Sequence, residues 1–292
     1  MRPQLHTVQT SDQYMLCAKT WGNEKNPALV LVHGYPDNQE VWEPVIHELL
    51  HHFYIVTYDV RGAGQSSVPK HIHDYRLEQL SLDLEAVTQQ ILGNRSFHLA
   101  AHDWGSIQSW ESVTEPKFKG RILSYTTISG PCLDHAALLL REEMKHHPVG
   151  FLKKLSKSWY IGAFHLPLIA PTIWKFFNPE KWGKVLNGLE RKNNLPLNPN
   201  ITNDGRHGIA LYRANFVPRL THPRQRFAQC PVQAVVLKYD AFVSTDYILQ
   251  EMPKWVEHFE HVELNANHWA ILSQPQKVAE YISTFASKYQ AH

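Results

Sequence analysis

Three short runs along the chain are predominantly apolar: Ala28–Val32, Phe53–Tyr58 and Val232–Leu237. Continuous β-branched and apolar runs of this length suit strands of a parallel sheet covered on both faces. Elsewhere the period changes. Leu77, Leu80, Leu84, Val87 and Ile91 step by three and four, which predicts an amphipathic helix, and Gly93 stands where its C-terminus falls. Val278, Ile282 and Phe285 repeat the pattern behind Pro275, a favoured first-turn residue. Ser96–Ala100 and His261–Leu264 read as further strands. Strands alternating with helices predict a doubly wound α/β sheet.

The alternation stops between Asp134 and Thr221. That stretch is rich in Leu, Trp, Phe and Pro and reads as helices at Leu138–Met144, Val149–Phe164, Ile169–Phe177 and Ile209–Phe216. The predicted organisation is a core domain of residues 1–133 and 222–292, with residues 134–221 inserted as a helical cap over the site. Apolar cap residues such as Phe164, Leu166, Trp174 and Phe177 suit a lipophilic ligand.

Composition narrows the classes. The chain has 292 residues, 43% hydrophobic, with a formal net charge of +2. A charge so small and evenly spread argues against nucleic acid or an anionic membrane as partner. No pair among the 19 histidines has convincing zinc spacing, so no metal is expected, and nothing calls for an organic cofactor. Cys17, Cys132 and Cys230 are odd in number and far apart, which fits a reducing compartment. Met1–Trp21 lacks the apolar core of a secretory signal, and no apolar run approaches the ~20 residues that span a bilayer. The expectation is a cytoplasmic protein, a monomer or homodimer, without a transmembrane segment.

The chemistry concentrates in Ala101-His-Asp-Trp-Gly105, directly after a predicted strand. A polar residue framed two positions either side by small ones is the pattern of a nucleophile elbow, a turn too tight for bulky flanks. Here the central residue is Asp103 in place of the usual Ser. A carboxylate nucleophile forms an alkyl ester, so its target is an electrophilic sp³ carbon bearing a leaving group, as in an epoxide or a carbon–halogen bond. Three other segments fall at strand ends. His33-Gly-Tyr-Pro36 follows Ala28–Val32, and its turn aims the Tyr35 N–H at a developing anion, with the Trp104 N–H as second donor. His33 and Pro36 belong to this oxyanion turn and shape it. Lys238-Tyr-Asp240 supplies an acid and Asn265-Ala-Asn-His268 a histidine. The order nucleophile–acid–histidine is that of α/β-hydrolases. Asp134 stands as the alternative acid.

On these segments, together with Asp59-Val-Arg-Gly-Ala-Gly-Gln-Ser66, the chain resembles the α/β-hydrolase-fold epoxide hydrolases. It is similar in particular to the hydrolase half of bacterial fusions with a short-chain dehydrogenase, which share Ile128-Ser-Gly-Pro131 followed by Asp134-His135. The chain stops soon after its last predicted helix, so no reductase is expected. The resemblance implies a mostly parallel eight-stranded sheet with helices on both faces. It also implies two cap tyrosines that donate hydrogen bonds to the epoxide oxygen: Tyr160, in Ser158-Trp-Tyr160, and Tyr212, in Leu211-Tyr-Arg-Ala-Asn-Phe216. Asp103 then acts as nucleophile, with His268 and Asp240 activating water to cleave the ester. Haloalkane dehalogenase is the nearest alternative on the same nucleophile. Such enzymes commonly carry Asn where this chain has Tyr35, and they lack the paired tyrosines. A non-catalytic binding protein on the same fold is the second alternative, disfavoured by the intact triad. No Gly-x-Ser-x-Gly elbow occurs to support a serine esterase.

Overall fold

The computed structural model describes residues 2–146, Gly162 and residues 170–290. The apolar runs are central strands: β3 (Ala28–Val32), β4 (Tyr54–Tyr58) and β7 (Val232–Leu237), every residue of them buried. Their high hydrophobicity on both faces has a direct cause. Ala28, Val30 and Val32 enter one core, and Leu29 and Leu31 the core on the opposite face. Helices α2 (Leu77–Leu92) and α3 (Trp104–Val113) cover the first face with Leu80, Leu84, Val87 and Trp110. Helix α1 (Glu43–Leu49) and the helix Pro275–Ala286 cover the second with Val45, Ile46, Val278 and Ile282.

The remaining strands are β1 (Gln4–Gln9), β2 (Met15–Trp21), β5 (Phe97–His102), β6 (Ile122–Ile128) and β8 (Phe259–Leu264). Among the described residues the eight strands form one sheet in the order β1-β2-β4-β3-β5-β6-β7-β8. Pairings β1–β2 and β2–β4 are antiparallel, and the others are parallel. The chain leaves β3 to form β4 on one side and returns to β5 on the other. This reversal is the topological switch point, where open α/β sheets leave a crevice at the strand ends. The loop after β3 and the elbow after β5 flank it.

Between β6 and β7 the described elements are helices: α4 (Leu133–His146), Ala170–Ile173, the 3₁₀ turn Trp174–Phe176, Pro179–Glu190 and Ile201–Thr221. The helix expected at Val149–Phe164 lies, apart from Gly162, outside the described residues. Pro179–Glu190 was not anticipated, although Asn178 caps it by accepting from the Lys181 N–H and Pro179 occupies its first position. Ile201–Thr221 is far longer than the expected Ile209–Phe216. Its buried face carries polar groups, which blurs the apolar period. Asp204 accepts from the Gly64 N–H (2.9 Å) and from Asn38 Nδ2 (3.0 Å). Asn215 accepts from the Leu77 N–H (2.9 Å) and donates to Tyr75 O (2.8 Å). These bonds fasten the helix to the loops at the strand ends. At Gly208 a side chain would strike the Tyr35 ring, so glycine permits the close approach. No helix among the described residues is long and apolar enough to cross a membrane.

Candidate active site

Strand β5 delivers Asp103 on a sharp turn, with φ 52° and ψ −124°. Left-handed φ is uncommon outside glycine, and Asp is among the residues that tolerate it. The small neighbours follow from the packing. A Cβ on Gly105 would collide with the carbonyls of Val32 and His33, and one on Gly130 with Ser106 and the Asp103 carbonyl. The elbow therefore presses against the end of β3, which brings the two loops flanking the crevice into contact.

The Asp103 carboxylate is held at both oxygens. Oδ1 accepts from the Tyr35 N–H at 2.7 Å, and Oδ2 lies 3.3 Å from His268 Nε2. Trp104 opens α3 at the position where a helix N-terminus presents unsatisfied N–H groups. On its other side the His268 ring faces Asp240, with Nδ1 3.2 Å from Oδ1 and 3.4 Å from Oδ2. Asp240 Oδ1 also accepts from the Phe242 and Val243 N–H groups, at 2.9 and 3.2 Å. His102, the residue before the elbow, donates from Nε2 to His268 O at 2.8 Å. Burial and the neighbouring His268 lower the His102 pKa to about 4, so this ring is a neutral strut.

Electrostatics couple the three groups. Burial alone would lower the His268 pKa, but the charges of Asp240 and Asp103 outweigh it and raise the value to about 10. Burial likewise disfavours the Asp240 charge, yet His268, Ser129 and the backbone donors leave its pKa lowered. The resting site is thus an imidazolium between two carboxylates.

The structure brings Asp103, Asp240, His268 and Tyr35 together, and it separates others. Asp134 lies in an arginine cluster, 3.0 Å from Arg224 Nη2 and 3.5 Å from Arg219 Nη1. His33 uses both ring nitrogens on backbone: Nε2 accepts from the Val60 N–H (2.8 Å) and Nδ1 donates to Gly34 O (2.9 Å). Its contribution is to shape the loop that carries Tyr35, as Pro36 does at the loop's next position. Tyr212, on Ile201–Thr221, packs its ring 4.8 Å from that of Trp104 and 5.3 Å from that of Tyr35. The Tyr35 hydroxyl accepts from Trp174 Nε1 at 2.6 Å, which ties a second inserted element to the same loop. Tyr160 lies outside the described residues.

Two residues escaped sequence reasoning. Ser129, at φ 53°, donates to Asp240 Oδ2 and sits 2.7 Å from His268 Nδ1. Its signal was the segment Ile128-Ser-Gly-Pro131, which the sequence offered as a resemblance without a role for the serine. Asp37 is buried and accepts from Trp269 Nε1 at 2.8 Å. With Asp204 it lines a small cavity of about 20 Å³ beside Tyr35 and Trp104. Burial, opposed by the Trp269 bond, raises the Asp37 pKa from 3.8 to about 7. A raised folded-state value favours the protonated form, so its stabilisation is complete below about pH 4 and is lost as pH rises through about 7. Asp37→Asn mimics the neutral form. It should flatten the fall in stability between about pH 4 and 7, gaining on the order of 2–4 kcal/mol over wild type above that range. Thermal melting of both proteins across that range checks this; parallel curves would refute it.

The comparisons place this geometry in a known fold. A family model described as alpha/beta hydrolase fold matches residues 27–150. An epoxide hydrolase from Bacillus megaterium superposes with a TM-score of 0.79 at 19% identity, covering 97% of this chain and all of that one. The chain has the α/β-hydrolase fold. Among curated relatives, the "Probable oxidoreductase EphD" of Mycobacterium tuberculosis is 29% identical over 96% of this chain and 49% of its own. Epoxide hydrolase 3 of Xenopus tropicalis is 26% identical over 90% of this chain and 72% of its own. The chain therefore spans about half the length of the mycobacterial relative.

Proposed function

We propose that the chain is an epoxide hydrolase that opens a lipophilic epoxide to a vicinal diol. The observation that carries this reading is the carboxylate at the elbow, Asp103, held between the Tyr35 N–H and His268 Nε2. Asp103 attacks the less hindered epoxide carbon while Tyr212 and Tyr160 give the opening alkoxide hydrogen bonds and a proton, a contribution of about 10²–10⁴ in rate. The product is a neutral alkyl ester. Its formation removes the Asp103 charge that helped hold His268 as imidazolium, so the neutral base becomes accessible just when water must be activated. Water, deprotonated by His268, attacks the Asp103 carbonyl carbon. The Tyr35 and Trp104 N–H groups hold the oxyanion, and the diol leaves. Residues 134–221 act as the cap, supported by Tyr212 and Trp174 both reaching the Tyr35 loop. The substrate is a small molecule. A cytoplasmic location fits the three unpaired cysteines.

One observation favours the dehalogenase reading: Trp104 Nε1, on the residue after Asp103, is buried without a hydrogen-bond partner among the described residues, as a halide donor would be. A single experiment separates the two. Styrene oxide and bromobutane are each turned over once in heavy-oxygen water, and products and the Asp103 peptide are weighed. Attack at the ester carbonyl puts the label into Asp103 and leaves the first-formed diol unlabelled. Labelled diol with unlabelled protein would refute the ester route, and bromide release without diol would replace the epoxide by a haloalkane.

A further inference from the structure

The carboxyl ends of four neighbouring strands each contribute one residue to the site: Asp103 after β5, Ser129 after β6, Asp240 after β7 and His268 after β8. Three of them have roles in the reaction proposed above. Ser129 has none there, yet its hydroxyl makes the shortest contact to His268 Nδ1, 2.7 Å against 3.2 and 3.4 Å from the two Asp240 oxygens. Its side chain is buried. An ionised carboxylate only accepts hydrogen bonds, so the single hydroxyl proton of Ser129 goes to Asp240 Oδ2. The lone pairs of Oγ are then left facing Nδ1, and they accept the Nδ1–H of His268. The backbone serves this geometry: φ at Ser129 is 53°, a left-handed turn that swings its side chain between β6 and β7.

We infer that Ser129 is a positioning residue inserted between the acid and the base, relaying His268 to Asp240 and holding the imidazole in the tautomer that leaves Nε2 free for water. The inference rests on the reading of His268 as the base. The other charged or titratable groups that face His268 are Asp103 at Nε2, Asp240 at Nδ1, His102 with its ring 4.8 Å away, and Asp37 acting through space. Of these, Asp240 shares the Nδ1 edge, so removing the hydroxyl leaves Nδ1 with two long contacts and Asp240 Oδ2 with only the distant Nδ1. The imidazole keeps its charge partner and loses its fixed orientation. Ester formation needs only Asp103 and the cap donors, whereas ester hydrolysis needs the oriented ring.

Two variants separate positioning from folding. Ser129→Ala removes the hydroxyl and keeps the left-handed turn under the same strain; Ser129→Gly removes it and relieves that strain. Both should form the Asp103 ester from styrene oxide within about twofold of wild type and hydrolyse it about tenfold more slowly. Their melting temperatures should move in different directions. A hydrolysis rate within about twofold of wild type in both variants would overturn the inference. A readout without substrate keeps the two proposals apart. In histidine-labelled protein the Nδ1 proton of His268, followed by nuclear magnetic resonance, should move upfield in both variants. If wild type forms no ester at all, the function proposed above fails, and this resonance alone decides Ser129; an unmoved resonance rejects it.

Discussion

His268→Ala is expected to form the covalent ester on Asp103 at close to the normal rate and then to keep it. The proposed nucleophile is a carboxylate, which needs no general base to take a proton from it as a serine would. Its Oδ1 is already oriented by the Tyr35 N–H at 2.7 Å, a contact that owes nothing to the imidazole. Hydrolysis of the ester has no such independence, because water must lose a proton as it attacks and His268 Nε2 is the basic atom facing the carboxyl, at 3.3 Å. Removal of a general base from a site that works as a unit costs on the order of 10⁴ in rate. Intact mass after mixing with styrene oxide should therefore show a persistent adduct of one substrate, while wild type shows it only transiently. An adduct that decays as fast as in wild type would exclude His268 as the base. Ester decay in wild type also has a defined pH dependence. Only the neutral imidazole accepts a proton, so the rate rises with pH. The Asp103 charge is absent in the ester, so the rise should be centred below the resting value of about 10.

The elbow was legible because sterics write it into the sequence. Gly105 is small since the turn packs against the carbonyls of Val32 and His33, and Asp103 must be a residue that tolerates left-handed φ. The central strands were legible because both faces are covered, so Leu29 and Val30 are equally apolar though they enter different cores. The first hairpin, β1 and β2, lies at the sheet edge with exposed positions, and its pattern was too weak to read. Helix Ile201–Thr221 was cut short because Asp204 and Asn215 bury polar side chains where the period calls for apolar ones. Their partners, Gly64, Asn38 and Leu77, are distant in sequence, and no local signal announces such bonds. Ser129 was missed for the same reason: a serine acquires a role only when β6, β7 and β8 place it between two other side chains. Asp134 shows the converse. From sequence it rivals Asp240 as the acid, and only the fold reveals its carboxylate among Arg219 and Arg224.

Asp103→Asn should abolish diol formation by at least about 10⁴-fold with the fold intact, and this is the counterpart that gives the His268 result its meaning. The amide has the same shape, and its oxygen can still accept from the Tyr35 N–H. It lacks the charge and the nucleophilicity, so no ester forms and no mass is added. Loss of the carboxylate also removes a negative charge from beside His268 Nε2, which should lower the imidazole pKa from its raised value toward neutrality. The imidazole titration therefore tests the electrostatic coupling even though the variant is inactive. A titration identical to wild type would mean that Asp103 and His268 are not the pair that the 3.3 Å contact describes. Slow recovery of activity on standing has a separate signature, because deamidation back to Asp restores the wild-type mass of the peptide. Immediate diol formation at more than about 1% of the wild-type rate, with the Asn still in place, would require a different nucleophile. Adduct with one variant and none with the other is the outcome expected when the carboxylate makes the bond and the imidazole breaks it.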